Sequence, residues 1–141
     1  MLKTLSPILG PELLKILMEM GHGDELVIAD GNFPAASMNE RVVRLDGNGA
    51  EAVLEAVLSV YPLDSYAPNA FLMEKVQGDA VETPIWASFE AIAKQGDPNF
   101  KGFGNIERYA FYERSKKAYA IIATSESALY ANVILKKGVV V

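Results

Sequence analysis

Short apolar runs alternate along this chain with longer stretches whose apolar residues recur three and four positions apart. The first pattern suits a buried strand and the second a helix packed on one face. A chain that keeps alternating them stacks helices on a sheet, so the sequence predicts an α/β layered domain with a largely parallel sheet. Leu26 to Ala29, Ala70 to Val76 and Tyr119 to Thr124 read as strands, as do Arg41 to Leu45, a short piece around Ile106 to Tyr109, Asn132 to Lys136 and Val139 to Val141. Glu12 to Met20 reads as a helix with Pro11 at its start and Gly21 at its end, and Leu13, Leu14, Leu17 and Met18 share a face. Gly49 to Tyr61, ended by Pro62, carries Val53, Leu54, Val57, Leu58 and Tyr61 at helical spacing. Pro84 to Lys94, with Trp86, Phe89 and Ile92 as buried positions, and Phe111 to Lys117 complete the helices. Gln95 to Asn105 reads as a loop pinned by Phe100 and Phe103, and Ser125 to Leu129 as a turn.

Length suits a single domain over residues 1–141. A net charge of −5 disfavours nucleic acid, which is held by neutralising phosphates. The late basic residues are interleaved with Glu107 and Glu113, which reads as a solvated face. Without cysteine the chain has neither disulfides nor thiol chemistry. No apolar run is long enough for a membrane helix, and Met1 to Pro7 has no signal-peptide pattern, so a cytoplasmic protein that does not engage a membrane is the expectation. Half of the residues are hydrophobic, which points either to subunit contacts or to a large core in a monomer.

The single histidine, His22, lies between Gly21 and Gly23. Imidazole can give and take a proton near neutrality, and glycine lets a backbone turn tightly beside a ligand. The strand that follows ends at Asp30, at the sheet edge where ligands bind in open α/β folds. His22 enters that strand and Asp30 leaves it, so they meet only if the chain or a neighbouring subunit folds back. Three further places have ligand potential: Arg108 with fixed donors, Tyr130 with a ring face and a hydroxyl, and Asn132 with donors and an acceptor. Each residue taken alone has a plainer reading: a surface histidine, a turn-forming aspartate, a core tyrosine, a surface arginine. There is no glycine-rich nucleotide fingerprint and no metal-ligand cluster, so neither a cofactor nor a metal is expected.

Together, five segments resemble the RbsD/FucU family: Glu19 to Glu25, Asp30 to Pro34, Leu63-Asp64-Ser65-Tyr66-Ala67-Pro68, Ala110-Phe111-Tyr112-Glu113-Arg114, and Tyr130 to Val139. The likeness runs nearly end to end and is weakest from Val76 to Asn105. It implies a three-layer α/β/α sandwich, ring-like homo-decamers with sites shared between subunits, and a cofactor-free isomerase acting on a monosaccharide. It further implies a catalytic His22, with substrate held by Asp30, Arg108 and the Tyr130-Ala131-Asn132 segment. Arg108 occupies a position that is typically histidine in the ribose branch, so the resemblance favours interconversion of the α and β anomers of L-fucose. A D-ribose pyranase and a non-catalytic sugar-binding module are the alternatives. Asn32, where some fucose relatives have histidine, and Ala131, where glycine is usual, depart from the family pattern.

Overall fold

The computed structural model describes residues 1–141. In chain order its elements are α1 (Pro11–Glu19), β1 (Glu25–Ala29), α2 (Ala35–Met38), β2 (Val42–Leu45), α3 (Ala50–Leu58), β3 (Ala70–Met73), α4 (Ile85–Gly96), β4 (Gly104–Ile106), α5 (Arg108–Lys117), β5 (Ala120–Thr124) and β6 (Val133–Lys136). The strands form one sheet in the order β2-β5-β1-β6-β3-β4. β1 and β2 run parallel to β5, and β3 runs parallel to β4. Only β6 opposes its neighbours, pairing antiparallel with both β1 and β3. The sheet is therefore largely parallel, with one reversed strand wedged into its centre.

Both faces of this sheet are covered, which is why its central strands are apolar without interruption. Strand side chains alternate between faces. Leu26 and Ile28 of β1 accordingly pack with Leu13, Val53, Leu54 and Phe89 of α1, α3 and α4. Val27 and Ala29 point the other way, toward Ala35 of α2 and Phe111 of α5. β5 and β6 split in the same manner: Ile122 and Leu135 join the first core, Ile121 and Ile134 the second. This is a three-layer α/β/α sandwich.

Several boundaries move. Arg108 and Tyr109 belong to the first turn of α5, not to the strand before it, because the Glu107 carboxylate accepts hydrogen bonds from the Tyr109 and Ala110 amides and starts the helix there. β4 accordingly begins earlier, taking Gly104 and Asn105 from the expected loop. Val139 to Val141 is not a strand: no partner backbone runs beside it. α2 occupies four residues directly after Pro34, too short for a periodic signal. On α1, Ile16 turns to the core and Met18 is exposed, because the face that meets the sheet is Leu13, Ile16 and Leu17. Phe89 is fully buried, whereas Trp86 and Ile92 are only half-buried. Phe100 and Phe103 stack edge to face, 5.0 Å between ring centres, and pin their loop to the core.

Candidate active site

The two ends of β1 hold two separate polar clusters. Five strand residues lie between them, about 17 Å at the usual rise.

At the entry end, Gly23 has φ +90°, a left-handed conformation that glycine adopts without strain. The turn is clamped to the β6 exit, because the Gly23 amide donates to the Lys137 carbonyl and the Lys137 amide donates to the Asp24 carbonyl. The Lys137 ammonium closes the end of α1, donating to the Leu17 and Met20 carbonyls. On this support His22 Nε2 lies 3.0 Å from Asp64 Oδ1. Its side chain is 45 % exposed and that of Asp64 only 5 %. The Tyr66 amide also donates to Asp64 Oδ1. That bond first, and the His22 bond second, hold the Asp64 carboxyl below its ordinary pKa. With Asp64 ionised, Nε2 is the nitrogen that carries hydrogen toward it, and Nδ1 is left for another partner. His22 borders an open, mainly apolar groove of about 580 Å³ between α1, Val60 to Pro62 and Lys137 to Val140.

At the exit end, Asp30 and Asn132 face each other. The Asp30 amide donates to Asn132 Oδ1 at 2.8 Å, and Asn132 Nδ2 donates to Asp30 Oδ2 at 3.0 Å. The Asn32 amide donates to the other carboxylate oxygen. Burial nevertheless dominates and raises the Asp30 pKa above the ordinary carboxylate value, against the opposing pull of these hydrogen bonds. Arg108, Tyr130 and Tyr112 share a hollow of about 230 Å³ with Asp30 and Asn132. Arg108 is exposed and its Nε donates to the Tyr112 hydroxyl at 3.2 Å, one helical turn along α5. Phe33, Met73, Val76 and Leu129 give the hollow an apolar side.

Within one chain, then, Asp30, Arg108, Tyr130 and Asn132 come together, and His22 stands apart from them. The imidazole is aligned by Asp64 and not by Asp30. Ala131 is fully buried in the core, so its side chain lines no pocket. Sequence reasoning assigned no role to Asp64, Asp79, Met73 or Tyr112. Asp64 and Tyr112 stand in segments that carry the family resemblance, which was the available signal. Asp79 gave only a turn signal after Gly78.

A family model described as the RbsD / FucU transport protein family matches residues 3–140. The chain belongs to this family. Among solved structures, it is similar to the fucose mutarotase of Streptococcus pneumoniae, determined in complex with L-fucose. The two share 46% identity at a TM-score of 0.92, over 99% of this chain and 100% of that one. FucU of Bifidobacterium longum is 55% identical at a TM-score of 0.93, over 97% of this chain and 99% of that one. RbsD of Bacillus subtilis, complexed with D-ribose, is 23% identical at a TM-score of 0.76 over the whole of both chains, which supports the common fold. No helix of this RbsD/FucU member is long and apolar enough to cross a membrane.

Proposed function

We propose that the protein is an L-fucose mutarotase, an isomerase that interconverts the α and β anomers by opening and reclosing the sugar ring. The observation that carries this reading is the full-length likeness, at 46% identity, to a fucose mutarotase whose structure contains L-fucose. The exit-end hollow adds chemical support. A monosaccharide needs donors and acceptors for its hydroxyls and an apolar wall for its carbon face; Arg108, Asn132, Asp30 and Tyr130 supply the first, and Phe33 and Met73 the second.

Ring opening breaks the bond between the anomeric carbon and the ring oxygen. One group takes the proton from the anomeric hydroxyl, which becomes the aldehyde, while another gives a proton to the departing ring oxygen. The carbonyl then turns its other face and the two proton transfers reverse. No electron is gained or lost overall, so the reaction needs no cofactor. Asp30 is the acceptor in this scheme, since burial raises its affinity for a proton. His22 is the donor in its imidazolium form, giving the Nδ1 proton and becoming neutral while Asp64 fixes the ring by its bond to Nε2. Arg108 stays charged and steadies negative charge on oxygen. Tyr130 and Asn132 orient the sugar.

This scheme needs His22 and Asp30 side by side, and one chain keeps them at opposite ends of β1. The site is therefore completed between subunits, with His22 of one copy entering the hollow of another. The apolar groove beside His22, flanked by exposed Leu2, Met18, Val60 and Val140, is the surface through which copies meet. A homo-decamer and a cytoplasmic location complete the proposal.

The test is NMR saturation transfer between α- and β-L-fucose at catalytic protein concentration, with D-ribose in parallel. Faster exchange of fucose than of ribose agrees with the proposal. Preference for ribose would move the protein to the pyranase branch, and tight sugar binding without faster exchange would make it a binding module.

A further inference from the structure

The segment between β3 and α4 lines the exit-end hollow with Val76 and Asp79, and Asp79 is a carboxylate that the mechanism above leaves unused. Asp79 Oδ2 lies 2.6 Å from the Tyr130 hydroxyl. Its other oxygen, Oδ1, accepts from the Val81 amide at 3.0 Å, so the carboxylate is fixed from behind by its own loop. The loop is braced further: the Asp79 amide donates to the Val76 carbonyl, and Lys75 Nζ donates to the Val81 carbonyl. Tyr130 is held with equal care. Its backbone has φ +56°, unusual for a residue with a side chain, and its carbonyl accepts from Trp86 Nε1 at 2.8 Å. Loop and helix α4 thus grip one tyrosine at both of its ends.

A phenol has a single hydrogen to donate. An ionised carboxylate accepts only, so at 2.6 Å the Tyr130 hydrogen is committed to Asp79. The Val76 amide donates weakly to the same hydroxyl, at 3.3 Å. What Tyr130 then shows the hollow is an acceptor lone pair. Arg108, which lines the same hollow, has donors only. We infer that Asp79 is a positioning residue that fixes the direction of the Tyr130 hydroxyl, so that Tyr130 recognises a donating sugar hydroxyl while Arg108 recognises an accepting one. The inference rests on the mutarotase reading for its substrate and on the observed hydrogen bond alone for the Asp79–Tyr130 coupling. The mutual pKa shifts agree with this pairing: the bond raises the Tyr130 value and lowers that of Asp79.

Asp79→Asn is the informative variant, because it keeps shape and loop contacts. The Val81 amide retains the single carbonyl oxygen, the side-chain NH2 turns to Tyr130, and the phenol must accept from it and point its own hydrogen into the hollow. In the exchange assay Asp79→Asn raises KM for L-fucose about tenfold, the scale of one misdirected hydrogen bond, with kcat changed less than KM. In a Tyr130→Phe background the same substitution changes KM no further. An ultraviolet difference titration against Tyr130→Phe shows the Tyr130 phenol ionising at lower pH in Asp79→Asn than in the native protein. An unchanged KM, a KM loss that multiplies in the double variant, or an unmoved Tyr130 titration overturns the inference. If the native protein leaves fucose exchange at its buffer rate, the mutarotase reading fails instead, and the titration still decides the coupling.

Discussion

Asp30 and Asn132, 102 positions apart in sequence, are joined by two hydrogen bonds: Asn132 accepts the Asp30 amide at 2.8 Å and donates to the Asp30 carboxylate at 3.0 Å. One asparagine therefore fixes both the backbone and the side chain of the proposed proton acceptor, at the seam where β6 enters against the end of β1. Asn132→Ala leaves the buried Asp30 amide without a partner, which costs about 1–3 kcal/mol of stability. The same change frees the carboxylate to rotate, and kcat/KM for fucose exchange falls about 100-fold, the scale of a misplaced proton-transfer group. Chemical denaturation and NMR exchange on one preparation measure both effects.

The His22–Asp64 pair makes a separate prediction. His22→Ala removes the proposed proton donor and is expected to lower the exchange rate by about 10²–10⁴-fold. Asp64→Asn keeps an acceptor oxygen for Nε2 and the Tyr66 amide but removes the negative charge that favours a protonated imidazole, so kcat falls while sugar affinity changes little. Separate measurement of kcat and KM checks this. A loss confined to KM would place Asp64 in sugar binding instead.

The two aspartates give opposite signs against pH. Asp30 has a raised pKa in the folded chain, so its contribution to stability is fully present below the unfolded carboxylate pKa and is lost as pH rises through the folded value. The proposed mechanism needs its ionised form, so activity is expected to rise with pH across an acid limb placed above the ordinary carboxylate range. Asp64 has a lowered pKa, so its contribution is present above the unfolded value and is lost as pH falls through the folded one. A pH–rate profile with fucose, compared with thermal melts over the same range, shows activity failing on the acid side before the Asp64 contribution to stability is lost.

Gly138 supplies a steric prediction. A Cβ at this position would run into the Leu63 carbonyl oxygen and come within 2.6 Å of its carbonyl carbon and 2.9 Å of the Asp64 Cα. These are backbone atoms that cannot swing aside, and the Gly138 amide donates to the Pro62 carbonyl in the same crossing. Gly138→Ala pushes the Asp64 segment away from His22. Stability falls by about 1–3 kcal/mol, as for overpacking in general, and exchange activity falls with it. Melting temperature and fucose exchange measured together test the claim. Unchanged activity in a folded variant would show that the 62–64 crossing does not set the His22 site.

The layered fold was legible because its signals are local. Leu26 to Ala29 and Tyr119 to Thr124 announce buried strands by composition, and α3 keeps Val53, Leu54, Val57 and Leu58 on the predicted face. What could not be read is long-range. The central position and reversed direction of β6 depend on pairing with β1 and β3, far away in sequence. The start of α5 at Arg108 depends on the Glu107 cap, which a strand-like Ile106 masks. The site divides in the same way. His22 and Asp30 stand out by residue type and by their places around a strand. Asp64 and Asp79 look like turn residues until folding brings one to His22 and the other to Tyr130.

The claim on which the mechanism rests is that His22 and Asp30 act on one sugar from different subunits. It is tested by preparing His22→Ala and Asp30→Asn separately, unfolding and refolding them together in equal amounts, and measuring L-fucose anomer exchange by NMR saturation transfer beside the native protein. Each variant alone is expected to leave exchange near its buffer rate. Random mixing across a heterologous interface restores both groups in about a quarter of the sites, so the mixture recovers a comparable share of the native acceleration. A mixture no faster than its separate components, beside an active native protein, would contradict a site shared between subunits.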